Sequence, residues 1–413
     1  MILNIKYTHI VFVLLGALAA TSVKSQHAIS LNEAFEMAKA NNLKLRSDAM
    51  LINYQKALVN TANNLDPTQF HTELGQFNSA YFDTGLSISQ SFSLPSVYRK
   101  QKEVRLLDVK SSEYYFKMSE VEIRQQLDEI YLEDGYLKAK IKLLDTQDSL
   151  FAAFLQRALI RVQKGETTIL EKITAEQQKI KISNLKSVLV KMLEVNTLKF
   201  GLLINADTSF IPYGNTYEII PYNVFFDEIT ILKHPALQLA NHEIEAAKMK
   251  VSIEKTNLLP RFNVGYSNIS IKGLGADNNE YNGKDRFSSV QVGVSLPVFR
   301  KNFRSSIDAA QVMADTKSIA YETKRSEIIS QIKQKYIIYK ELLEQLDFYK
   351  KNAIPNAQII RSVSENQMAT GQINYLEYVI LSDQATAIEN DYIEMLKNLN
   401  TIIIDLHYLT TYY

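Results

Sequence analysis

From Ile123 to Val162 the apolar residues alternate at spacings of three and four: Ile123, Leu127, Ile130, Leu137, Ile141, Leu144, Phe151, Leu155, Ala158 and Val162, interrupted by Asp134 and Asp148. A 3.5-residue period sustained this long specifies helices that wrap around neighbours in a left-handed sense, not a straight helix lying on a globular core. The stretch from Val97 to Val162 would be about 100 Å long at about 1.5 Å per residue. That is too long for a compact domain of this size, so the helix must project as a rod and find partners along its length.

The same stepping returns in the second half through Ile328, Ile332, Tyr339, Leu342, Leu346, Tyr349, Ala353, Ile360 and Val363, with breaks at Lys335, Asn356 and Gln367. Ile328 follows Ile123, and Ile360 follows Leu155, by 205 residues, so one register is expected throughout. Shorter pieces repeat in the same order: SFSLPSVYRK (91–100) against GVSLPVFRKN (293–302), and KGETTILEKI (164–173) against TGQINYLEYV (370–379). The chain is therefore an internal duplication. Residues 26–204 form a first repeat: a helix, a β-hairpin at about 69–95, a long helix at about 97–163, a turn at Gly165 and a return helix at about 167–203. Residues 227–409 form a second, with a β-hairpin at about 261–297, a long helix at about 303–369, a turn at Gly371 and a return helix at about 374–409. Residues 205–226 link the two.

Before each rod the pattern changes to a period of two. Leu86, Ile88, Phe92 and Leu94 alternate with Gly85, Ser87, Ser89, Ser91 and Ser93; Val290, Val292, Val294 and Leu296 alternate with Ser289, Gln291, Gly293 and Ser295. Their hairpin partners are residues 70–77 and 261–271, joined through 78–83 and the turn-rich 273–285. Strands near ten residues long, apolar on one face and small and polar on the other, suit a membrane barrel with lipid outside and water inside. Four strands cannot close such a barrel, since the smallest have about eight, and open edges are not tolerated in hydrocarbon. The barrel must be shared between copies.

Export fits this reading. Lys6, the apolar run Ile10 to Ala20, and Val23-Lys24-Ser25 before Gln26 have the form of a signal peptide over residues 1–25. Its removal takes Lys6 and Lys24 and shifts the formal charge from +1 to −1. A near-neutral chain with dispersed lysines offers no nucleic-acid footprint. The absence of Cys removes disulfides, thiolate catalysis and a lipidated N-terminal Cys, so attachment to a membrane must come from the fold.

The opening ISLNEAFEMAKANNLKLRS (29–47), the strand exits SLPSVYRK and SLPVFRK at Pro95 and Pro297, and the turn motifs KGETTILE and TGQINYLE, in order and duplicated, resemble the outer membrane efflux protein (TolC) family. The resemblance implies a mainly α fold in which long coiled-coil hairpins build an α-barrel, while four strands per chain enter a shared, twelve-stranded outer-membrane β-barrel. It further implies a homotrimer with a periplasmic helical domain, acting as a passive channel for efflux together with a periplasmic adaptor (membrane fusion) protein and an inner-membrane pump of the RND type. The hairpin tips, Gly165, Glu166, Thr167 and Gly371, Gln372, Ile373, are then the adaptor-docking candidates. Glu171 and Glu377, each six residues after the turn Gly, are candidates for a cation-attracting constriction. The link at 205–226 resembles the family's equatorial region. Type I protein secretion, and a periplasmic scaffold without a pore, stay open as alternatives.

No catalytic or cofactor motif is expected. Residues 275–285 have the wrong glycine spacing for a phosphate loop or an EF-hand. His234 and His242 stand eight apart, not at the spacing that aims two imidazoles at one metal, and read as exposed or helix-start residues.

Overall fold

The computed structural model describes residues 27–63, 65–206, 210–213, 217–222 and 231–410. The export signal at 1–25 and parts of the 205–226 link lie outside the described residues. In chain order the elements are β1 His27–Ile29, α1 Leu31–Asn41, α2 Leu43–Val59, β2 Gln69–Gly75, β3 Asp83–Phe92, α3 Pro95–Gln163, α4 Ile169–Ile204, β4 Phe210–Pro212, α5 Pro235–Thr256, β5 Arg261–Ser270, β6 Gly273–Leu274, β7 Glu280–Tyr281, β8 Arg286–Ser295, α6 Lys301–Phe348, a π-helical turn Tyr349–Ala353, α7 Ile354–Ala369 and α8 Tyr375–Thr410. The chain divides into two compact units, one of residues 46–119, 225–332 and 409–413, the other of residues 1–45, 120–224 and 333–408.

The first of these units holds the sheet. Its strands run β2-β3-β5-β8, every neighbour antiparallel. The two hairpins expected from the alternation join through β3 and β5, where Gly85 to Phe92 pair with Ile269 to Phe262. Beside it, Ala247 and Val251 of α5 pack on Ala314 of α6, with Ile307 and Ala310 around them.

In the other unit α1 begins with a capping box: Glu33 accepts from the Ser30 backbone N–H at 2.8 Å while the Ser30 hydroxyl accepts from the Glu33 N–H. Asn42 breaks α1 from α2 and satisfies both sides, accepting from the Lys44 N–H at 2.9 Å and donating to the Leu203 carbonyl at 2.9 Å. Phe151, Phe154 and Ala158 of α3, Ala175 and Ile182 of α4, and Tyr375, Tyr378 and Val379 of α8 form one core cluster, in which the Phe154 and Tyr375 rings stack at 3.7 Å. Leu346 with Leu396, Leu399 and Ile403 forms another, against Tyr217, Ile220 and Tyr222 of the link.

The α3 periodicity is borne out. Ile123, Leu127, Ile130, Leu137, Phe151 and Ala158 are buried, and buried Asp134 is matched by Lys138 at 2.6 Å. The expected register of the second rod holds only to the π-helical turn. Ile328 and Ile332 are buried as Ile123 and Leu127 are, 205 residues apart. Beyond the turn the buried pairs are Phe151 with Ala357 and Ala158 with Ser364, 206 apart, while Val363 is 45% exposed. A π turn holds one extra residue, which rotates the following face by about 100°.

The histidine reading is corrected at one position. His234 does start α5, its Nδ1 accepting from the Ala236 N–H at 3.2 Å. His242 is buried inside α5, and its Nε2–H donates to the Leu107 carbonyl at 2.8 Å.

Candidate functional site

Both hairpin turns are built by one device. The Glu166 N–H reaches back to the Arg161 carbonyl at 2.9 Å and the Gly165 N–H to Val162 at 3.0 Å; Gln372 and Gly371 do the same to Gln367 and Met368 at 2.8 and 3.3 Å. This paired arrangement closes a helix through a residue in the left-handed region. Gly165 and Gly371 both have φ of 74°, which a side chain would strain. Gly165, Glu166, Gly371 and Gln372 are exposed, and Thr167 and Ile373 are half-buried.

Glu171 and Glu377 occupy equivalent places one turn into the return helices but have different partners. Glu377 accepts from the Asn374 N–H at 2.9 Å while its own N–H donates to Asn374 Oδ1 at 3.0 Å, a reciprocal cap. Glu171 follows Thr168, which makes no side-chain cap, and instead pairs with Arg161 across the turn at 3.4 Å. The spacing N-Y-L-E is thus a capping signal as well as an acidic one, whereas T-I-L-E at the equivalent place makes no such cap.

A second polar group lies beside the link. Glu394 of α8 accepts from Tyr136 at 2.7 Å and Lys140 at 2.6 Å, while Lys397 sits 3.9 Å above the Tyr136 ring and pairs with Glu133 at 2.6 Å. Burial works against the Glu394 carboxylate, but the Lys140 and Tyr136 hydrogen bonds and the nearby lysine charges hold it below the usual range. Burial also pushes the Tyr217 phenol up, and its hydroxyl donates to the Ile393 carbonyl. Asn400 pins the same segment, accepting from the Ile220 N–H at 2.9 Å and donating to the Glu218 carbonyl at 2.8 Å. These contacts fasten helices; none places a nucleophile beside a base. Among the described residues no three His, Asp or Glu side chains are grouped to hold a metal, and no helix is long and apolar enough to cross a membrane.

The sheet sorts its residues by parity. Phe70, Ile88, Tyr266 and Val290 form one cross-strand rung, and Val264, Val292, Phe262 and Val294 stand on the same face. Phe70, Val290 and Val292 are 72%, 72% and 74% exposed. The opposite face carries Ser87, Ser89, Ser91, Ser267, Ser289 and Ser295 with Gly265 and Gly293. Among the described residues the outer edges of β2 and β8 have no strand partner. The strand exits differ between repeats: Pro95 opens α3 directly, whereas Pro297 is followed by three residues outside any helix before α6, and Phe299 there is 90% exposed.

Residues 229–410 match the family model described as outer membrane efflux protein. Over that second repeat the chain is similar to the outer membrane efflux protein family. Known outer-membrane channels share its fold over nearly the whole chain. A structure of CusC, described in terms of transmembrane channel formation, has a TM-score of 0.78 at 12% identity and covers 93% of each chain. The Campylobacter jejuni CmeC outer membrane channel gives 0.74 at 13%, covering 92% of this chain and 85% of its own. The open-state Neisseria gonorrhoeae MtrE outer membrane channel gives 0.74 at 12%, covering 94% and 93%. No curated protein matches the sequence. The shared fold, long helical rods with a small strand part, is thus the one expected from the duplicated motifs.

Proposed function

We propose that the chain is one protomer of an outer-membrane channel, a passive conduit of a tripartite efflux system whose energy comes from an inner-membrane pump. The observation that carries this reading is the sheet. Its apolar face stands in solvent in the single chain and its two edges are open, a combination that lipid and further copies satisfy together. Three copies would supply twelve strands, enough for an aqueous lumen lined by the serine face. The helical units then form the periplasmic part, after residues 1–25 direct export and are cleaved.

The tips at Gly165, Glu166, Thr167 and Gly371, Gln372, Ile373 are the contact points for a periplasmic adaptor, because exposed turns are what such rods present at their ends. A pump of the RND type is the partner that the family resemblance favours. Glu171 and Glu377 set the acidic level near those tips. Arg161 offsets part of the Glu171 charge, so Glu377 dominates cation attraction.

Reconstitution in planar bilayers tests the reading. Stepwise conductance is expected from detergent-purified oligomer. Multivalent cations added at the periplasmic side should block wild type more strongly than a Glu171→Gln/Glu377→Gln variant, and equal block would remove the acidic constriction. Release from membranes by salt alone, or a single subunit in plain buffer, would sink the channel itself.

A further inference from the structure

The polar face of the sheet is not polar to its end. Moving along it, the rungs are Ser91–Asn263–Gly293, then Gln69–Ser89–Gly265–Gln291, then His71–Ser87–Ser267–Ser289. Their side chains bond one another: Asn263 donates to Ser91 at 3.1 Å, and the Ser267 and Ser289 hydroxyls lie 2.7 Å apart. The next rung, beside the 76–82 and 271–285 connections, is Glu73–Gly85–Ile269–Phe287. Here the chemistry turns over within one step.

Gly85 makes room for a third apolar group. A Cβ at Gly85 would stand 3.3 Å from Cζ of Phe77, 3.4 Å from Cγ2 of Ile269 and 3.5 Å from Cβ of Glu73, so the tip of the Phe77 ring lies over the glycine on the serine side, between the Ile269 and Glu73 positions of the rung. Phe287 completes the step, its ring meeting Tyr281 edge-on at 5.3 Å. Phe77 and Phe287 keep 38% and 36% of their surface open. They are neither core residues nor part of the lipid-side face, which carries the even-numbered residues.

From this juxtaposition we infer that Phe77, Ile269 and Phe287 form an apolar collar at the loop end of the channel's polar lining, a poorly hydrated level that small hydrated ions cross less readily than amphiphilic solutes. The inference rests on the channel reading above. Its physical basis is that three apolar side chains stand where the preceding rungs carry hydroxyls and amides, which leaves Glu73, paired with His71 at 3.3 Å at the edge of the sheet, as the polar group of this level and narrows the wetted part of the opening.

In planar bilayers a Phe77→Ser/Phe287→Ser variant is expected to raise potassium chloride conductance about twofold or more over wild type. Equal conductance would overturn the collar while leaving the channel standing; a wild type without conductance would overturn the channel first. Should the double variant fail to assemble, the chain's lack of cysteine makes Phe287→Cys a clean second probe. A cationic methanethiosulfonate reagent is expected to change its open-channel current in steps. An unreactive thiol, or an adduct seen by mass spectrometry with unchanged current, would overturn the collar.

Discussion

Glu171 and Glu377 share a position in the repeat, yet one neutralises an arginine and the other closes a cap, and their stability effects should differ accordingly. Asn374→Ala removes the Glu377 partner and is expected to cost about 1 kcal/mol, read as a lower Tm of the detergent-solubilised protein. Thr168→Ala should leave Tm unchanged within about 0.5 kcal/mol, because Thr168 makes no cap bond. His407 offers a pH test. Burial lowers its basicity, so the folded imidazole is neutral where the unfolded one still takes a proton. The unfolded chain gains protons first as pH falls through about 6.5, and stability present at neutral pH is lost below it. Wild type should therefore lose more Tm between pH 7.5 and 5.5 than His407→Gln. The turn glycines and the acidic positions were legible in sequence because they repeat. The cap at Glu377 is legible too, in the N-x-x-E spacing from Asn374. Burial of His242 was not, since its partner is a backbone carbonyl of a helix far along the chain.

At the scale of elements, the period-two runs sorted strand faces correctly because one buried or lipid-facing side leaves no freedom of register. Val292→Arg, on the apolar face of β8, is expected to cost about 2–4 kcal/mol of insertion near the bilayer midplane, measured as loss from the heat-resistant oligomer in outer-membrane fractions. Ser289→Arg, on the other face, should insert normally. The β3–β5 pairing could not be read locally: it joins residues some 180 positions apart, and no turn chemistry announces it. The rod of the second repeat shows the opposite failure. A strict heptad count ran on through Ile360 and Val363, whereas the extra residue at Tyr349–Ala353 moved the buried face to Ala357 and Ser364. Nothing in the apolar pattern before the turn signals that insertion; the change of repeat spacing from 205 to 206 at the turn glycines did.

For the whole molecule, the surface of α4 is the clearest sign of assembly. Val188, Val195 and Leu202 recur every seven residues and are all exposed in the single chain, the pattern expected of a seam that a helix of a second copy would cover in the proposed assembly. Val195→Lys is expected to raise the subunit dissociation constant by about tenfold, seen as monomer by native mass spectrometry in detergent. An unchanged oligomer would place the seam elsewhere. The π turn bears on this scale as well. A duplicated chain whose halves kept identical phase would give three subunits a sixfold-like crown at the periplasmic rim. In the trimer proposed above, one additional residue in every second rod would make neighbouring hairpins non-identical, so a collar of adaptor molecules would meet two alternating kinds of seat and its own subunits would have to bind in unequal pairs.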